Sequence, residues 1–374
     1  MFDFPFEEPN VITATYVWLL YIIILLSNLK FIKNPSILPS PERRKFFIIL
    51  IGFALITFCT QGDFFTLMRV VRKFIFSKHA FNYTEDIYVR IGEFVGRNYF
   101  IFRLVVWGGS YLLFCITAKN LKTNIYQAVI ILYLTHGLVF GYGRVTSAMA
   151  IYFTGLSFIC CTLERYSIIK FVIGISLIIL CLQFHTSAYI LVGLTVLAII
   201  PLNKYSIIAI IIILPLLVFQ LKGLFEDIVF SQIDNERLIH KVTTYNEIGD
   251  RALGIAELML NTIEYLSFYL PYVLITLRAF KNKNYFRIPY SLLSFYKVSL
   301  GLVFSSIVFM LFGSGYSVFI YRVLFMTMIP LAILTSKFYS LKILNKKEFK
   351  WCVLPGIIFM IFRLSYGIYC EQIS

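Results

Sequence analysis

Apolar runs, each long enough to cross the hydrocarbon core of a bilayer, follow one another through almost the whole chain. A helix needs about 20 mostly apolar residues for such a crossing. On that rule spans are predicted at 13–31, 46–60, 99–118, 124–140, 145–163, 168–184, 187–203, 205–221, 260–280, 292–312, 317–336 and 352–370. Helix is the expected state, because an open strand cannot satisfy its backbone in lipid. At 59% hydrophobic and only 14% charged, the 374 residues leave no stretch for a soluble domain. The expected architecture is one all-α polytopic membrane domain, 1–374, of about twelve helices. Soluble enzymes, nucleic-acid-binding modules and disordered scaffolds are excluded. The first run, with no basic residue ahead of it and no small-residue cleavage motif behind, reads as an anchor.

The net charge of +15 is carried largely by short connections between apolar runs. Lys30, Lys33, Arg43, Arg44 and Lys45 lie in the first, Lys119 and Lys122 in the third, and Arg165 and Lys170 in the fifth. Lys204, then Arg278, Lys281, Lys283 and Arg287, and finally Lys337, Lys342, Lys346, Lys347 and Lys350 continue the alternation. Basic loops face the cytoplasm. Both termini and the two long connections, 61–98 and 222–259, are therefore expected outside, at the periplasmic face. Phe64, Leu67, Met68, Val71, Phe74 and Ile75 recur at helical spacing and suit a helix lying in the outer interface. The seven cysteines lie in or beside apolar runs without a CxxC pair, so they read as buried and inert.

Charge within or beside a span is costly and marks candidate chemistry. On this topology the notable groups gather at the outer face. Arg144 follows Gly141-Tyr142-Gly143 at the start of a helix, and His185 sits in the short turn Phe184-His185-Thr186-Ser187. Arg322 follows Gly313-Ser314-Gly315, Asp63 follows Gly62, Glu85 and Asp86 lie in the first long loop, and Arg363 is in the outer half of the last span. A guanidinium stays charged and grips phosphate oxygens in pairs, and a helix N-terminus adds positive potential. Histidine can take a proton from a hydroxyl near neutral pH. Together these groups suit a leaving lipid diphosphate and an attacking sugar hydroxyl. No paired-carboxylate metal motif is present, so neither a metal ion nor another cofactor is expected.

Each residue also has a structural reading. Arg144 can snorkel to headgroups, His185 can serve as a hydrogen-bonded linker, Arg322 as one half of an ion pair, and Asp63 as a helix cap. Arg103, His136, Glu264 and Arg363 read more readily as packing or pairing groups, and Lys297, on the cytoplasmic half of its helix, as a lysine snorkelling inward. Tyr83, Tyr88 and Tyr99 are candidates for stacking on sugar rings, though nothing in the sequence singles them out.

Gly62-Asp63, Glu85-Asp86-Ile87-Tyr88, Arg144-Val145-Thr146-Ser147-Ala148-Met149-Ala150, Phe184-His185-Thr186-Ser187-Ala188, and Arg322 followed by Phe325 and Pro330 occur in that order. This succession resembles the EpsG-like and Wzy-type polysaccharide polymerases over about residues 60–335. The chain departs from the pattern at Val145, where the family often has Gln, and at Asp86, where it often has Pro. The resemblance implies a GT-C-like, metal-independent glycosyltransferase of the inner membrane. It implies a substrate of polyprenyl (undecaprenyl) diphosphate-linked oligosaccharides, and a chain-length regulator is a candidate partner. By the same resemblance Arg144 and Arg322 bind the donor diphosphate and His185 acts as base or positions the acceptor. Asp63, Glu85 and Arg363 are the further substrate-binding candidates. An O-antigen ligase shares this donor chemistry and stays open as an alternative. A flippase fits less well, because no related halves or mid-membrane charges stand out.

Overall fold

The computed structural model describes residues 11–57, 85–185, 188–198, 200, 255–281, 288–312 and 323–373. Among them the secondary structure is entirely helical: α1 (Val11–Ser27), α2 (Leu29–Lys33), α3 (Pro41–Thr57), α4 (Asp86–Phe94) and α5 (Tyr99–Arg103). A π-helical turn, Leu104–Gly108, joins α5 to α6 (Gly109–Asn120). Then come α7 (Ile125–His136), α8 (Gly143–Glu164), α9 (Ile168–Cys181) and α10 (Ala188–Leu194), which ends in the 3-10 turn Thr195–Ala198. The chain closes with α11 (Ile255–Phe280), α12 (Tyr290–Phe312), α13 (Met328–Ser340) and α14 (Lys346–Ile373).

Five of the described stretches are long and apolar enough to cross a membrane: Tyr99–Asn120, Gly143–Glu164, Tyr290–Ile307, Val323–Ser340 and Lys346–Tyr366. Shorter apolar helices, such as Ile125–His136 and Ile168–Cys181, stand at other expected spans. The expected span 205–221, the interfacial helix around Phe64–Ile75 and the second long loop up to residue 254 lie outside the described residues. The end of the first long loop is ordered as α4.

Two helices form the centre. Asn124 caps α7 by accepting from the Gln127 amide at 3.2 Å, and every residue from Tyr126 to His136 is buried. A helix apolar all round belongs inside a bundle, and α3, α6, α13 and α14 enclose it. The second is α8, packed against α6, α9, α10, α12 and α13. By contrast α9 buries only Gly174, Ile178 and Cys181, and leaves Ile169, Val172 and Ile179 exposed. That surface suits lipid, where aliphatic exposure costs nothing.

Polar side chains set the register of α6 against α8. Ser110 Oγ meets Ser147 Oγ at 3.1 Å, Thr117 Oγ1 meets Thr154 Oγ1 at 3.0 Å, and Asn120 donates to Ser157 Oγ at 2.9 Å. The constant offset of 37 along the chain means the two helices run parallel, with α7 returning between them. Such interhelical bonds contribute about 0.6 kcal/mol each. They also hold the start of α8 beside the π turn.

Lys297, expected to snorkel inward to the cytoplasmic surface, stays buried instead. It is 1% exposed, and its Nζ donates to the carbonyls of Ala198, at 2.9 Å, and Ile200. Those carbonyls end the helical run of α10, where backbone acceptors lack helical partners and attract a cation. Reaching them satisfies the ammonium more directly than stretching to water. Lys297→Met is expected to orphan both acceptors and to lower stability by about 1–3 kcal/mol. The check is the melting temperature of the purified protein in detergent.

Candidate functional site

Arg144 stands in the first turn of α8 and is 9% exposed. The turn Gly141-Tyr142-Gly143 delivers it. The Thr146 hydroxyl ties back to the Phe140 carbonyl at 3.2 Å, closing the loop onto the helix. The N-cap residue, Tyr142, makes no side-chain cap, so the positive end of a 22-residue helix is left to other groups. Gly143 sits against Trp107 of the π turn: a Cβ there would come within 2.6 Å of the indole. Only glycine permits this approach.

Glu85 reaches the same point from the other side. It is the N-cap residue of α4, in extended backbone conformation. Its Oε2 lies 3.7 Å from Arg144 Nη1, with both side chains nearly buried. At 3.7 Å this is an ion pair without a direct hydrogen bond, and Glu85 Oε2 has no hydrogen-bond partner among the described residues.

Tyr88, one turn into α4 and fully buried, joins the parts. Its hydroxyl donates to the Arg144 carbonyl at 3.3 Å. Its ring packs edge-on against Phe184 at 5.7 Å and tilted against Phe102 at 6.5 Å. Phe184 immediately precedes His185, which is 1% exposed and whose carbonyl accepts from the Ala188 amide at 3.0 Å. Phe184, next to His185, is therefore linked to the start of α8 through one tyrosine.

Three of the residues expected at the site, Glu85, Arg144 and His185, thus belong to one connected assembly at the end of the bundle where α8 begins. Arg363 is half-buried on α14, which packs along α11. Asp63 and Arg322 lie outside the described residues. Phe325, three residues after Arg322, packs its ring 5.0 Å from that of Tyr142. Tyr88 is no sugar platform, because it is fully buried, and Tyr99 is also buried at 8% exposed. Both rings are spent on packing, Tyr99 stacked on Phe102 at 6.0 Å. The positioning role of Tyr88 was missed in the sequence, although it sits in the Glu85-Asp86-Ile87-Tyr88 motif. Among the described residues no group of three or more His, Cys, Asp or Glu comes together in a way that could hold a metal ion.

His136 of α7 is a separate, structural histidine. Its ring nitrogens lie 2.7 Å from Thr135 Oγ1 and 3.2 Å from Ser267 Oγ, and Phe268 packs against its face at 4.1 Å.

No curated protein and no solved structure matches this chain. Residues 86–370, from the start of α4 almost to the end of α14, match the EpsG family. Since the match takes in Arg144 and His185 and most of the chain, the protein belongs to the EpsG family, an EpsG-like family of polysaccharide polymerases.

Proposed function

We propose that this chain polymerises a surface polysaccharide at the periplasmic face of the inner membrane. It transfers a growing glycan from its polyprenyl diphosphate carrier to the non-reducing end of a lipid-linked repeat unit. The observation that carries this reading is the joining of Arg144, at the positive end of α8, to the Phe184-His185 turn through Tyr88. An acidic leaving group and a hydroxyl nucleophile need a fixed cation and a base near one another.

In the proposed step an acceptor hydroxyl oxygen bonds to the anomeric carbon of the donor glycan. The bond from that carbon to the diphosphate oxygen breaks, and the diphosphate leaves with the electron pair. His185 takes the hydroxyl proton. Arg144, with Arg322 as the family resemblance implies, offsets the charge gathering on the diphosphate, the kind of term that usually dominates catalysis. Glu85 holds Arg144 in place until the donor arrives. No metal ion takes part.

The test is a gel of surface polysaccharide from cells lacking the gene. Loss of the ladder, with a single repeat unit still attached to its anchor, is the expected result. Loss of all glycan from the anchor would reject polymerisation, and accumulation of lipid-linked polymer would then indicate a ligase. Restoring the gene as His185→Ala is expected to leave the ladder at least a hundredfold weaker, the scale of a lost general base.

A further inference from the structure

Beside the first turn of α8 stands a second polar group that the family resemblance does not assign. Trp107 is fully buried, yet its indole Nε1–H has no hydrogen-bond partner among the described residues. A buried donor left this way costs about 1–3 kcal/mol and calls for an explanation. The six-membered ring of the indole packs against the start of α8: Cζ2, Cε2 and Cη2 lie 2.6, 2.9 and 3.1 Å from where a Cβ on Gly143 would be, and Cε2 carries the nitrogen. The nitrogen is thus one bond from an atom packed on Gly143, the residue next to Arg144 in the first turn of α8.

The backbone that presents Trp107 is itself irregular. Leu104–Gly108 is a π turn inside the otherwise continuous helical stretch Tyr99–Asn120. π turns sacrifice regular hydrogen bonding and recur at functional sites. Here the turn lies beside the parallel α6–α8 contact, so its effect is to aim Trp107 at the head of α8. The guanidinium of Arg103 lies 6.0 Å from the centre of the indole ring. A cation over the ring draws electron density from it and makes the N–H a stronger donor.

We propose that the indole N–H of Trp107 donates to a phosphate oxygen of the donor diphosphate held by Arg144 and the first turn of α8. This rests on the reading of Arg144 as the diphosphate site, and it adds Trp107 as a substrate-binding residue. The chemistry is specific. An indole N–H donates and cannot accept, and it bonds an oxygen anion more strongly than a neutral hydroxyl. Glu85, the anion now paired with Arg144, gives way to the phosphate as the donor enters.

The experiment uses the full-length protein in detergent, with Trp18→Phe and Trp351→Phe leaving Trp107 as its only tryptophan. Farnesyl diphosphate is the probe and farnesol the uncharged control. Hydrogen bonding at the indole nitrogen is expected to move the Trp107 emission to the red with farnesyl diphosphate and not with farnesol. In a separate binding assay, Trp107→Phe is expected to raise the Kd for farnesyl diphosphate roughly tenfold or more, as loss of a hydrogen bond to a charged group does.

The emission measurement needs no change at position 107, so it decides the matter even if Trp107→Phe fails to fold. No red shift, or an unchanged Kd in a folded Trp107→Phe protein while Arg144→Ala weakens binding, overturns the role of Trp107 and leaves the site standing. An unchanged Kd in both variants overturns the diphosphate site itself, and this inference with it.

Discussion

Arg144→Ala is expected to abolish the polysaccharide ladder while the protein still reaches the membrane. Removing one preorganised group that meets developing charge in a transition state typically costs ~100- to 1,000-fold in rate. The loss has a second component. Arg144 and Glu85 pair at 3.7 Å with little solvent around them, and breaking a buried pair from one side leaves an uncompensated charge, a cost of about 3–5 kcal/mol. Part of any defect in Arg144→Ala is therefore stability. Glu85→Gln combined with Arg144→Gln removes both charges and separates the two effects. The double variant is expected to recover melting temperature relative to Arg144→Ala and to remain inactive. Arg144→Lys keeps the charge but loses the planar fork that grips two phosphate oxygens, so partial activity is expected. A full-length ladder from Arg144→Ala, at normal protein level, would sink the proposed mechanism.

Gly155→Leu is expected to be the most damaging substitution remote from the site. Gly155 of α8 and Gly174 of α9 face each other: a Cβ at Gly155 would lie 2.7 Å from the Gly174 carbonyl oxygen, and one at Gly174 would lie 2.8 Å from that of Gly155. The obstacles are backbone atoms, which cannot rotate aside as a side chain can. Small residues allow such close approach in membranes, where packing rather than water exclusion drives association. A leucine must push α8 and α9 apart. Overpacking of this kind costs about 1–3 kcal/mol, and lost contacts along the rest of the pair add to it. Little folded protein is expected, measured as the fraction surviving extraction and size-exclusion chromatography. Gly193→Ala is the control. Nothing lies within 4 Å of a Cβ there, and alanine favours helix over glycine by up to about 1 kcal/mol, so a neutral or slightly stabilising result is expected.

The family was legible in the sequence, although each of its motifs is short. Their order along the chain, from Gly62-Asp63 to the late Arg322 segment, carried the resemblance to the family that the match over residues 86–370 establishes. Glu85, Arg144 and His185 were also legible as candidates, because charge near an apolar span is rare enough to be noticed. Their pairing was not. Glu85 and Arg144 are separated by four helices, α4 to α7, and nothing in either segment names the other.

Lys297 and Trp107 show the limit more sharply. A lysine near the end of a span ordinarily snorkels, and only the nearby carbonyls of Ala198 and Ile200 make the inward route better. Trp107 resembles any tryptophan of a membrane helix until the π turn and Gly143 bring its ring against the head of α8.

What the sequence determined by itself was the state of the chain: helical segments in a bilayer and the places where charge interrupts them. Those properties follow from local hydrophobicity and the thickness of lipid, which act along one dimension. The tertiary structure decided which helix ends meet. It set α8 parallel to α6 through contacts 37 residues apart and brought Tyr88 onto Arg144 and Phe184. The reason is physical. In lipid, helix pairing depends on the fit of small residues and on scattered polar contacts, and neither leaves a periodic trace in the sequence.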